Sequence, residues 1–149
     1  MNKIYSQSGS DLTKYTFSCW AKLNNKRENP LFAAGSNDGD ENTIFLTRSS
    51  GHPGMRWGSS SAGQGDLTPK AFLGDYSGWF HFTVKWDTQQ AVAEERLKFF
   101  INDNWLRIGT IGHHSDHFNF PAQNAPSTKL NTSSVEHLIG GFPRTSQKI

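Results

Sequence analysis

The chain has 149 residues, 34% of them hydrophobic and 13% aromatic, with 11 Phe, 5 Trp and 3 Tyr set among 14 Gly. This is the length of one domain, enough to enclose a real core and too aromatic for a disordered segment. Its 15 basic and 13 acidic residues leave a formal charge of +2, a small excess with no Lys/Arg run, which excludes a nucleic-acid footprint and points to partners without strong charge.

No apolar stretch approaches the ~18 residues of a membrane span, and residues 1–10 hold no apolar signal core. Cys19 is the only cysteine, so neither a disulfide framework nor a thiolate metal cluster is expected within the chain.

Internal repeats are not evident, and period-2 alternation dominates. Over residues 16–23, Phe17, Cys19, Ala21 and Leu23 share one face, and Thr16, Ser18, Trp20 and Lys22 the other. Cys19 thereby reads as a buried structural thiol. Shorter strands are expected at 30–34, 43–47 and 55–58, with an acidic turn over 35–42. The Ser/Gly stretch 59–65 is expected to be mobile.

Over 79–86, Phe80, Phe82, Val84 and Trp86 point one way, and Trp79, His81, Thr83 and Lys85 the other. Residues 89–98 fit either one helical turn or a loop. Over 97–101, Leu97, Phe99 and Ile101 alternate with Lys98 and Phe100. Asn102-Asp103-Asn104 reads as a tight turn, because Asn and Asp tolerate left-handed backbone, with 105–108 returning as the hairpin partner. The segment 110–134 is long, polar and broken by Pro121 and Pro126, a length that goes with a functional or tightly packed loop. A final strand is expected at 137–140. About nine short strands, each with one apolar face, predict two packed antiparallel sheets, with Phe17, Trp86, Phe99 and Ile139 buried between them.

The order of these elements resembles a known family. YTFSCWAKL at 15–23, LFAAG at 31–35, WFHFTVKWD at 79–87, RLKFFIND at 96–103 and HLIG at 137–140 are similar to successive strands of laminin-G-like, concanavalin A-like jelly rolls. TQQAVAEER at 88–96 and FPAQN at 120–124 resemble an insert and a loop of such domains in tailed-phage virion proteins, especially of marine phages. The resemblance implies an all-β, two-sheet antiparallel jelly-roll sandwich formed as one domain over 1–149. It also implies a non-enzymatic bacteriophage virion surface protein: a head decoration, fibre or spike component with a protein- or glycan-binding face. Its partners would be other virion proteins, copies of itself or a host surface glycan, with neither nucleic acid nor membrane insertion. The alternatives are a free carbohydrate-binding lectin module and, less favoured, a polysaccharide depolymerase.

Two departures from the family carry expectations. Asp103 stands where a turn glycine is usual. Both ends look short: only residues 3–6 could serve as the family's first strand, and its last strand has no counterpart. Open sheet edges are normally covered, so an obligate assembly component is expected, with an interface near residues 1–10 or 142–149.

Three groups could carry chemistry. Asp38 and Asp40 lie in the acidic loop 37–42 and could supply oxygen ligands to calcium, although a solvated turn is the favoured reading; no other cofactor is expected. His113, His114, Asp116 and His117 fall within five residues and could ligate zinc, against the plainer reading of a surface loop. Trp20, Trp79 and His81 fall on polar faces of their strands, Trp57 precedes the Ser/Gly loop and Trp105 follows the turn; such aromatics can stack on sugar rings or fill a protein contact. Catalysis is not expected. The E-x-D-x-E carboxylate string of concanavalin-like glucanases is missing, as are G-x-S-x-G and a phosphate loop.

Overall fold

A computed structural model describes residues 2–4, 11–22, 29–37, 40–47, 52–58, 65–69, 77–107, 119–127, 129–130 and 132–141. Its strands are β1 (Asn2–Ile4), β2 (Lys14–Lys22), β3 (Asn29–Asn37), β4 (Asp40–Thr47), β5 (Gly54–Trp57), β6 (Gly65–Leu67), β7 (Trp79–Asp87), β8 (Leu97–Ile101), β9 (Asn104–Trp105) and β10 (Glu136–Ile139), with one helical turn, α1 (Ala93–Arg96), before β8. They form two antiparallel sheets, one ordered β1-β10-β3-β4-β5-β6 and the other β2-β7-β8-β9.

Side-chain alternation decides which face of the four-stranded sheet is dry. In β2 the burial pattern alternates at every residue, with Tyr15, Phe17, Cys19 and Ala21 turned inward. Their partners on β7 are Trp86, Val84, Phe82 and Phe80. Across the gap stand Ala34, Ile44, Met55 and Leu67 of the other sheet, all fully buried. The sheets interlock through rings: Phe17 stacks on Phe32 at 5.3 Å and Trp57 meets Trp86 edge-on at 5.7 Å. The Tyr15 hydroxyl donates to Met55 Sδ at 3.4 Å.

Burial pushes the Tyr15 phenol well above its ordinary pKa. The folded state therefore keeps it neutral. Stability from this group is complete below about pH 10 and falls as the pH rises further, because the unfolded chain ionises first. Tyr15→Phe should flatten that alkaline fall, read as denaturant midpoints at about pH 8 and about pH 11.

The hairpin forms as its residues dictate. Asn102 and Asp103 both adopt left-handed backbone, φ 49° and 64°, as a two-residue type I′ turn requires. The Asn102 side chain accepts from His81 N–H at 2.9 Å, and its own N–H donates to the His81 carbonyl at 2.8 Å. Asp103→Gly should leave stability within about 0.5 kcal/mol. Asp103→Val should cost about 1–2 kcal/mol, as seen in chemical denaturation.

Several expectations change. Ile139 is 61% exposed. It is the last residue of β10, and Gly140 turns away with φ 71°, so the buried position in this strand belongs to His137. Gly65, read as the end of a mobile stretch, instead opens β6, while 59–64 lie outside the described residues. A Cβ on Gly65 would fall inside the Trp57 indole, so the glycine lets that ring lie over the strand. Within the ambiguous 89–98 segment only Ala93–Arg96 form a helical turn, Leu97 already opening β8, and the return strand of the hairpin is Asn104–Trp105, shorter than 105–108.

The described part of the long loop packs tightly. Ser127 N–H donates to the Leu12 carbonyl at 2.6 Å, and Asn124 N–H to the Thr88 carbonyl at 2.8 Å. Buried Asn42 donates to Ser127 Oγ at 3.0 Å. A short first strand is present: β1 pairs with β10 in the register Asn2↔Leu138, Lys3↔His137 and Ile4↔Glu136. Residues 1, 5–10 and 142–149, where an assembly interface was expected, lie outside the described residues.

Candidate functional site

The outer face of the four-stranded sheet gathers side chains that alternation excludes from the core. Pairing of β2 with β7 sets Trp20 opposite His81, Ser18 opposite Thr83, Thr16 opposite Lys85 and Lys22 opposite Trp79. Paired residues share a face, and neighbouring rows lie two residues apart, about 6.6 Å. Trp20 and Trp79 are thus diagonal neighbours, and they are 65% and 63% exposed.

His81 organises this end of the face. Its ring lies 5.1 Å from the Trp20 ring. Nε2 is 2.8 Å from Ser18 Oγ, which is itself 3.1 Å from Thr83 Oγ1. Nδ1 is 3.7 Å from Asp103 Oδ1 at the hairpin tip. Hydrogen bonds from the turn to the His81 backbone hold the strand in place beneath the ring. The result is two broad apolar ring faces beside hydroxyl and imidazole groups, the combination that sugar recognition needs: stacking for the C–H face and polar partners for hydroxyls.

The other end is basic. Phe100 pairs with Thr83 on one side and Trp105 on the other. Lys85 Nζ lies 5.5 Å from the centre of the Phe100 ring. Lys98 Nζ and Arg107 Cζ lie 4.5 and 4.4 Å from the centre of the Trp105 ring. Two cations already occupy Trp105, so it is a braced ring rather than an open platform. Lys98 also bonds Glu95 of α1, and Lys14 pairs with Asp87 at 3.8 Å. The small basic excess does gather locally after all: no run exists in the sequence, but alternation collects Lys14, Lys22, Lys85 and Lys98 onto one face.

Of the aromatic candidates, the fold brings together Trp20, Trp79 and His81, with Trp105 at the far edge of the same sheet. Trp57 does not join them. It sits on β5 in the other sheet, its ring over Gly65 and against Trp86. Asp38, the side chain of Asp40, and the cluster His113, His114, Asp116 and His117 lie outside the described residues. Among the described residues no group of three or more His, Cys, Asp or Glu could hold a metal. Cys19 is half-buried on the inner face, and burial pushes its thiol pKa up, which keeps it protonated. Ser18, Thr83, Lys85 and Arg107 are further members of the site that the sequence alone does not mark. The first three sit at outward positions of the strands that carry Trp20 and Trp79, a signal that becomes useful only once the register is known.

No protein-family model matches the chain, and no curated protein sequence is significantly similar to it. Among solved structures it is similar to the native heptameric SAP-like pentraxin of Limulus polyphemus, with a TM-score of 0.51 and 11% identity. The match covers 94% of this chain and 57% of the pentraxin chain. At that identity the likeness establishes the fold alone: a two-sheet antiparallel jelly-roll sandwich of the concanavalin A-like kind.

Proposed function

We propose that the chain is a non-catalytic carbohydrate-binding module, and that the outer face of its four-stranded sheet stacks sugar rings on Trp20 and Trp79. The observation that carries this reading is the diagonal pair of tryptophans, nearly two-thirds exposed and adjacent to His81, Ser18 and Thr83. Large exposed aromatics grouped on one face mark interaction sites. The fold shared with a pentraxin, a lectin-type jelly roll, is compatible with that role but does not by itself assign it.

Asp103 and Asp87 do not form a hydrolytic carboxylate pair. Asp103 lies beside His81, whereas Asp87 lies six residues further along β7, about 20 Å away. Hydrolytic pairs stand about 5–9.5 Å apart.

The setting we propose is the surface of a tailed-phage virion, where the module would serve as a decoration, fibre or spike component bound to other virion proteins or to further copies of itself. That part rests on the sequence resemblance of 88–96 and 120–124. Titration of the full chain with soluble host-type polysaccharides, followed by tryptophan fluorescence, tests the binding role. Saturable quenching with at least one glycan is expected. Unchanged fluorescence and no retention across neutral and acidic polysaccharides would contradict it.

A further inference from the structure

We infer that the ligand of this face is an acidic polysaccharide, whose anionic groups meet Lys85 and Arg107 while its rings stack on Trp20 and Trp79. The inference rests on the carbohydrate-binding reading above and narrows its ligand class.

Two of the lysines on this face are already engaged. Lys14 is paired with Asp87 and Lys98 with Glu95. Among the described residues no carboxylate lies within ion-pair distance of Lys85 or Arg107. Both are exposed. Each is instead set over an aromatic ring, Lys85 over Phe100 and Arg107 over Trp105, which holds the charge at a defined place without neutralising it. Lys22, opposite Trp79, adds a third cation at the other end of the face.

Spacing gives the face a direction. A ligand lying along β7 meets Trp79, His81, Thr83 and Lys85 in turn, at steps of about 6.6 Å. It therefore passes from a stacking platform, over hydroxyls, to an uncompensated positive charge. A neutral glycan would use the first half of this path and leave Lys85 and Arg107 without a role. An acidic one uses all of it.

Single-stranded nucleic acid also combines stacking with charge, but it fits less well. Trp105 and Phe100, the rings nearest the free cations, are covered by cations and offer no open face to successive bases.

The test uses matched pairs of probes. Binding of the full chain is measured to polygalacturonate against its methyl ester, and to dextran sulfate against dextran, at low and high salt, with an oligothymidylate as a further arm. At least one acidic probe should bind about tenfold or more tightly than its uncharged counterpart at low salt, and screening should remove the difference at about 0.5 M salt. The two pairs separate a carboxylate preference from a sulfate preference. K85Q/R107Q should bring the acidic probe to parity with its counterpart, with a melting temperature like that of the parent; K85Q and R107Q singly serve if the pair fails to fold. Equal affinity for charged and uncharged members overturns this inference and leaves the stacking role standing. Tighter binding of oligothymidylate overturns it in favour of nucleic acid. Binding to none of the polysaccharides removes both this inference and the carbohydrate-binding role.

Discussion

Phe99→Ala is expected to lower the unfolding free energy by about 3–5 kcal/mol. Phe99 is fully buried, pairs with Val84 across β7 and β8, and has its ring 6.3 Å from that of Phe82. Truncation removes transfer energy and leaves a cavity walled by two sheets that cannot collapse independently. For a domain of this size the melting temperature should fall by about 2–4 °C for each kcal/mol. Phe100→Ala, one residue away on the half-buried outer side, should cost only about 1 kcal/mol. Thermal and denaturant unfolding of the two variants checks the strand phase directly: similar losses would mean that inside and outside have been assigned wrongly.

The paired variant W20A/W79A should do the opposite. Both rings are largely exposed, so stability should change by less than about 0.5 kcal/mol per site. If each ring contributes about 1 kcal/mol of stacking, affinity for the bound glycan falls about thirtyfold. W57A is the control for the misplaced candidate. It should damage stability, because the ring packs on Trp86 and over Gly65. Isothermal titration beside a melting curve separates the two behaviours: loss of affinity without loss of stability for the outer pair, and loss of stability for Trp57.

Much of this arrangement was legible before the structure. Alternation in β2 and β7 separates Phe17, Cys19, Phe82 and Val84 from Trp20, Trp79 and His81 because a strand offers only two faces. The turn at Asn102 and Asp103 was legible for the same local reason: these residues accept positive φ. What a single strand cannot reveal is its neighbour. Trp20 and His81 are 61 positions apart, and only the β2–β7 register makes them a pair. The same pairing gathers lysines from separate strands into a basic end, which a search for charge runs cannot find. β6 escaped notice because Gly-Asp-Leu has little β propensity and is shaped by the Trp57 ring above it. Ile139 misled because its strand ends where the alternating pattern would have continued.

The most direct test of the glycan-stacking face is a nuclear magnetic resonance titration of the nitrogen-labelled chain with polygalacturonate oligosaccharides. The 5 tryptophans provide 5 separate indole N–H reporters. Progressive, saturable shifts are expected for Trp20 and Trp79, with Trp57 and Trp86 unmoved. Shifts confined to Trp57 or Trp86, or an unmoved Trp20 and Trp79 at saturating ligand, would contradict it.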